Sequence, residues 1–292
     1  MDQFSDKHQI YIKREDLIHP DFGGNKWRKL KYNIEKASHN QCGTIVTFGG
    51  PFSNHIAATA AVCRAYNIPC VGIIRGEYVD ADNPTLNLAQ NNGMILHHVS
   101  KLDYKIGDRS ENIDRIIKIY DRPYMIPEGG GNALGMYGMQ DLVSEIDDFP
   151  VEFDYICVPA GTGTTAAGII EYLDGNSQVI IVNALRNASL VQMISQRLST
   201  AQNNWEVLSN YHFGGFAKTT DELQLFTQSF YDRYGIMLDP VYNAKLVYGI
   251  VDHLRVSDIS AESKVLIIHT GGMQGIDAYD YRHDKHWLYS DR

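Results

Sequence analysis

Cysteine is scarce: Cys42, Cys63, Cys70 and Cys157 are the four in 292 residues. They lie far apart with no C-x-x-C pair, and three sit beside or within apolar runs, so they read as buried thiols and not as a disulfide framework or redox motif. No apolar run approaches the roughly 20 residues that span a bilayer. The opening stretch MDQFSDKHQIYIKRED lacks the apolar segment of a secretory signal. The expected setting is the cytoplasm, with no membrane partner. Basic charge is in deficit, 26 Lys and Arg against 35 Asp and Glu for a net charge of -9. Phosphate-backbone binding depends on clustered Lys and Arg, so no nucleic-acid partner is expected and a small-molecule ligand is. The 11 histidines include the pairs His97/His98 and His283/His286. Neither pair has H-E-x-x-H spacing or companion cysteines, and no metal site is expected. A G-x-x-x-x-G-K-[ST] cradle for a nucleoside triphosphate is also missing.

What is present is an ordinary globular composition, 44% apolar and 21% charged, on a chain long enough for two packed lobes. Short β-branched runs ending in glycine or proline recur: TIVTFGG (Thr44–Gly50), CVGIIRG (Cys70–Gly76), YICVPAGTG (Tyr155–Gly163), VIIVNA (Val179–Ala184) and KVLIIHTGG (Lys264–Gly272). Each predicts a buried strand, and most precede a helical pattern, as in NHIAATAAVCRAYN with Ser53 as its N-cap. Alternating β and α segments imply an α/β fold with parallel sheets covered by helices. In such sheets ligands sit at the carboxyl ends of strands, and three strand-end turns here are glycine-rich: Gly49-Gly50, Gly161–Gly163 and Gly271-Gly272. No fixed repeat or linker marks a boundary, so a second lobe must be woven into the first.

Two stretches carry chemistry. AGTGTTAAG, Ala160 to Gly168, is a strand-to-helix turn whose backbone N–H groups and Thr162, Thr164 and Thr165 hydroxyls can hold a phosphate dianion. It also satisfies G-x-G-x-x-A, but the next strand offers Asn183 and Arg186 where a dinucleotide site needs an acid, so a phosphate monoester ranks above a nicotinamide cofactor. GGNKWRKLKYN, Gly23 to Asn33, taken alone reads as a helix start with a solvated basic face. A phosphate cup and an amine at Lys26 are together what pyridoxal 5′-phosphate requires, since its aldehyde condenses with a lysine and its phosphate seeks a helix N-terminus.

YIKREDLIHPDFGGNKWRKLKYN, TFGGPFSNHIAATAA, IPEGGGNALGMYG, VPAGTGTTAAGI, LDPVYNAKLVYGI and IIHTGGMQG, in that order from Tyr11 to Gly275, resemble the motifs of the 1-aminocyclopropane-1-carboxylate deaminase and D-cysteine desulfhydrase family. The resemblance implies pyridoxal-phosphate fold type II, tryptophan synthase β-like. That fold has two open twisted mostly parallel α/β domains: a large cofactor-binding domain over residues 1–30 and 140–292, and a small one over 31–139. It implies a homodimer by family habit. It implies that Lys26 forms the Schiff base, that Asn54 bonds the cofactor's 3-hydroxyl, and that Gly161, Thr162, Gly163, Thr164 and Thr165 hold its phosphate. Ser53 falls at a serine near the substrate, with the amides of Asn54 and His55 placed for the substrate carboxylate, and Tyr242 at an active-site tyrosine.

Two departures from the family bear on the reaction. Asn243 and Thr270 stand where the cyclopropane deaminases have glutamate and leucine, as the desulfhydrases more nearly do. A neutral group beside the ring nitrogen makes a weaker electron sink, which suits β-elimination better than ring opening. Phe216 replaces a second active-site tyrosine at the substrate site. The expectation is a lyase taking a small D-amino acid such as D-cysteine to a keto acid and ammonia. Cyclopropane-carboxylate deamination, or a cofactor-binding homologue of low turnover, are the alternatives.

Overall fold

The computed structural model describes residues 8–77, 80–284 and 287–288. The first seven residues of the segment read for an export signal, and His286 of the His283/His286 pair, lie outside them. Among the described residues there are nine strands: β1 (Gln9–Arg14), β2 (Thr44–Gly49), β3 (Cys70–Arg75), β4 (Ile95–Val99), β5 (Pro123–Ile126), β6 (Tyr155–Ala160), β7 (Gln178–Asn183), β8 (Trp205–Leu208) and β9 (Lys264–His269). They form a five-stranded sheet in the order β1-β9-β6-β7-β8 and a four-stranded sheet in the order β4-β3-β2-β5. Every strand pairing is parallel. The smaller sheet is an insertion between β1 and β6, and β1 returns to pair with the last strand, Gln9 opposite Lys264.

Parallel strands need both faces covered, and the two-residue period of a strand divides its side chains between them. In the larger sheet Cys157, Ile180, Val182, Val265 and Ile267 enter one core, while Ile156, Val158, Val179, Ile181, Leu266 and Ile268 enter the other. Helices supply the covering layers. Those that reach the site are α1 (Asn25–His39), α2 (Asn54–Ala65), α3 (Thr164–Tyr172), α4 (Asn243–Val256) and α5 (Gln274–His283). Leu30, Ile34 and Ala37 form one stripe of α1 and pack with Ile56, Ala60 and Val62 of α2 against Ile45, Ile74 and Ile126 of the smaller sheet. No helix is long and apolar enough to cross a membrane among the described residues.

The solvated basic face expected after Gly24 does not form. Arg28 and Lys29 are buried. Arg28 forks both onto Glu15, at 2.9 and 3.0 Å, and onto Glu145, at 2.7 and 2.8 Å. Lys31 pairs with Asp141 at 2.6 Å. Burial alone would raise the Glu145 carboxyl, but hydrogen bonds from Arg28 and Lys13 hold it down to about 2. Bidentate geometry of this kind is what lets an arginine leave water. The cysteines are free thiols as expected, although Cys42 is only half-buried beside the core that encloses Cys63 and Cys70.

Candidate active site

Turns from both sheets converge on a cavity of about 460 Å³, within the size range of small-molecule sites. Its walls come from the residues after β2 (Gly50–Ser53), β6 (Gly161–Gly163) and β9 (Thr270–Gly272), all at carboxyl ends of strands. Lys26, Ser53, Asn54, His55, Gly161, Thr162, Gly163, Thr164, Thr165, Phe216, Tyr242 and Thr270 all line it. Asn243 does not, and stands behind Thr270.

Lys26 is the second residue of α1, and glycine sets where that helix begins. Gly24 has φ of 92°, and a Cβ there would lie 2.2 Å from the Thr270 carbonyl oxygen. This close approach lets Asn25 N–H donate to the Thr270 carbonyl at 3.1 Å, pinning the start of α1 onto the turn after β9. The Lys26 amine donates to Asn25 Oδ1 at 2.8 Å, and Asn25 Nδ2 donates to Thr165 Oγ1 at 2.9 Å. Amine and cup are therefore two hydrogen bonds apart. Burial lowers the Lys26 pKa to about 8, against a partial opposing pull from the Asp239 charge.

The cup opens on Gly163, which sits in the left-handed region at φ 78° and caps α3 without any side-chain hydrogen bond. The first-turn amides of a helix have no intrahelical acceptor, and the helix dipole adds positive potential. Lys29, one turn after Lys26, borders the cavity, and its amine meets the Gly129 carbonyl at 3.3 Å. Burial pushes its pKa well down, and the charges of Lys26 and Arg197 push it further. Glu128 is the one carboxylate among the described lining residues. A dianion in the cup would relieve this uncompensated positive potential.

Across the cavity Ser53 caps α2, accepting from Ile56 N–H at 3.4 Å, which leaves the Asn54 and His55 amides for an anion. The Asn54 side chain makes no hydrogen bond among the described residues, and a Cβ on Gly272 would lie 2.5 Å from its Nδ2. The His55 ring is a neutral part of the wall. Thr47 donates to the Ile126 carbonyl and its oxygen accepts from His55 Nε2–H, each at 2.8 Å. Burial, followed by the Lys26 and Lys29 charges, pushes the ring's pKa down to about 3.

Tyr242 and Thr270 are positioned by one buried carboxylate. Asp239 accepts from the amides of Val241 and Tyr242 at 2.9 Å and of Asn243 at 3.0 Å. It also accepts from Asn243 Nδ2 at 2.5 Å, and that same nitrogen donates to the Gly271 carbonyl at 2.9 Å. Asn243 Oδ1 must then accept, and it does so from Thr270 N–H at 3.0 Å and the Thr270 hydroxyl at 3.3 Å. A neutral hydroxyl thus faces the cavity with a carboxylate set back behind an amide. Burial, then Asp239 and Glu128, raise the Tyr242 phenol, so at neutral pH it stays protonated and presents an O–H hydrogen-bond donor to the cavity.

Asn25, Lys29, Asp239, Arg75 and Arg282 were not singled out from the sequence. Lys29 had a legible signal, the three-residue spacing that puts it on the same helix face as Lys26. Asp239 had another, as the Asp of an Asp-Pro turn ahead of a helix.

A family model described as pyridoxal-phosphate dependent enzyme matches residues 1–271. The chain belongs to that family. Within it, the enzyme is 33% identical to a Thermotoga maritima protein provisionally named a 1-aminocyclopropane-1-carboxylate deaminase, across 94% of this chain and 91% of that one. It is 30% identical to the Arabidopsis thaliana bifunctional D-cysteine desulfhydrase/1-aminocyclopropane-1-carboxylate deaminase, across 92% of this chain and 73% of that one. A crystal structure of an ACC deaminase homologue superposes with a TM-score of 0.78 at 29% identity, covering 94% of this chain and 87% of the other. Threonine deaminase isoform 2 of Solanum lycopersicum shares the fold alone, with a TM-score of 0.68 at 15% identity over 91% and 75% of the two chains. The enzyme is of the deaminase and desulfhydrase kind, and its cofactor is pyridoxal 5′-phosphate. The donor set fits that cofactor: a cup of free amides with unpaired lysine charge, an amine of lowered pKa, and an Asn54 amide left unbonded.

Proposed function

We propose that the enzyme eliminates a β leaving group from a small D-amino acid, D-cysteine in the simplest case, and releases a keto acid and ammonia. The observation that carries this reading is the Lys26 amine, lowered to about 8, between a phosphate cup on one side and the N-terminus of α2 on the other. Bound there, pyridoxal phosphate supplies an aldehyde for amines and a ring that withdraws electrons from the α-carbon. Lys26 holds the cofactor, and its amine, once exchanged for that of the substrate, takes the α-proton. Asn54 and His55 amides hold the carboxylate, with Ser53 fixing that turn. The Tyr242 hydroxyl donates a hydrogen bond to the departing sulfur, which leaves as hydrosulfide with the bonding pair. The Cα–H and Cβ–S bonds break, a C=C bond forms, and one water completes the conversion of D-cysteine to pyruvate, ammonia and hydrogen sulfide.

Thr270 and Asn243, neutral where a carboxylate would strengthen the electron sink, favour elimination over ring opening. The second reading, deamination of 1-aminocyclopropane-1-carboxylate to 2-oxobutyrate, draws on the names of the relatives, and Phe216 in place of a tyrosine weighs against it. A panel of D- and L-amino acids and the cyclopropane substrate, scored for keto acid, ammonia and sulfide, separates these. Sulfide with pyruvate from D-cysteine is expected. 2-Oxobutyrate as the dominant product would replace elimination with ring opening. Absence of turnover, with borohydride still fixing the cofactor on Lys26, would leave a binding protein.

A further inference from the structure

A cation at the mouth of the cavity has no role in that chemistry. Gly275, Ala278, Tyr279 and Arg282 line the cavity, and their spacing is one face of α5. The three positions before Arg282 put a helix face against the cavity wall and the guanidinium at its end. Its Cζ lies 5.1 Å from the Phe52 ring centroid and 5.4 Å from that of Phe216, within cation–π range of both. No carboxylate stands within 4.0 Å of Arg282 among the described residues. Arg75, the other arginine of the wall, lies 5.4 Å over the Tyr104 ring, on a phenol that the Glu128 charge also reaches.

The placement of Phe216 is not a loose surface accident. Phe213, Gly214, Gly215 and Ala217 around it all have positive φ, at 49°, 95°, 111° and 51°. Such a run is strained for the two non-glycine residues and persists only where surrounding bonds hold it. Lys245 of α4 provides them: its fully buried ammonium donates to the carbonyls of His212 at 3.0 Å, Gly215 at 2.6 Å and Ala184 at 3.0 Å. All three of its N–H bonds are thereby used, and two hold the loop that presents Phe216 to Arg282.

On the elimination reading, the cofactor phosphate has the cup and the substrate carboxylate has the N-terminus of α2. We infer that Arg282, held between Phe52 and Phe216, selects substrates bearing a second anionic group, an amino acid with an anionic β-substituent such as a phosphate ester. The chemistry is unchanged: the Cα–H and Cβ–O bonds break, phosphate leaves with the bonding pair, and water yields the keto acid and ammonium.

Cofactor-loaded enzyme titrated calorimetrically with 3-phosphoglycerate and with glycerate tests the anion site without turnover, because neither ligand has an amine. Binding of 3-phosphoglycerate at least about tenfold tighter is expected from one charge-assisted contact. Arg282→Met should abolish that advantage, and Arg282→Lys should restore part of it. In parallel, the kcat/KM ratio of O-phospho-D-serine to β-chloro-D-alanine should fall about tenfold in Arg282→Met, through KM. Equal affinities, or an advantage that survives Arg282→Met, would overturn the assignment. Should no amino acid turn over at all, elimination fails as the reaction while the titration still decides the role of Arg282.

Discussion

The two turns that face each other across the cavity are built alike and loaded differently. Each follows an interior strand and opens a helix: Gly50–Ser53 between β2 and α2, and Gly161–Gly163 between β6 and α3. At α2 a serine side chain already claims one first-turn amide. At α3 the capping position is a left-handed glycine with no side chain to offer, so its amides all remain for a ligand. A carboxylate needs few donors and a phosphate dianion several, so on the proposed reading the difference between serine and glycine at one position sorts the two sites. Lys26 stands between them, tied to the α3 side through Asn25 and Thr165.

Removing the residue between the turns should break the pair most completely. Lys26→Ala is expected to lower turnover by roughly 10³-fold or more and to abolish the visible absorption of the borohydride-sensitive holoenzyme. Next in size is a pH effect on the same amine. With its pKa at about 8, the nucleophilic neutral form is scarce in acid and grows as pH rises. Cofactor loading of apo-protein, followed by stopped-flow absorbance, should therefore accelerate roughly fiftyfold between pH 6 and pH 8 and then level off. A rate still climbing tenfold per unit above pH 9 would mean an ordinary exposed lysine.

Smaller changes distinguish the turns themselves. Gly163→Ala places a Cβ 2.8 Å from Ile194 Cγ1 and a side chain at φ 78°. It should weaken cofactor binding about tenfold in equilibrium dialysis while altering substrate KM little in cofactor-saturated enzyme. Ser53→Ala should do the reverse, costing about 1 kcal/mol of stability in thermal or denaturant unfolding and raising KM a few-fold, with cofactor affinity nearly constant. Matching effects from both substitutions would erase the distinction between a phosphate turn and a carboxylate turn.

One class of strand is legible in the sequence and another is not. β2, β3, β6, β7 and β9 were all visible as β-branched runs, and they are the interior strands of the two sheets. β1, β4, β5 and β8 were not, and they are the four edges, each made mostly of exposed and half-exposed residues. A strand with neighbours on both sides and helices on both faces must be apolar throughout, whereas an edge strand mixes polar residues and loses that signal. The site shows the same division. Turn residues were legible because glycine and threonine at a strand end have few other uses. Arg282 acts beside rings distant in the chain, Phe52 and Phe216, and nothing local distinguishes it from a surface polar group.

By itself the sequence determined the parallel α/β character, the glycine- and threonine-rich turn after β6 and the family to which the chain belongs, because each is written in contiguous residues whose backbone or side-chain chemistry is local. Tertiary structure alone decided that Arg28 and Lys29 are buried, that Asn243 stands behind Thr270, and that Arg282 lies between two phenylalanines. Those outcomes depend on charges, amides and rings brought together from separate elements of the chain, where burial and mutual distance set the energy of each group.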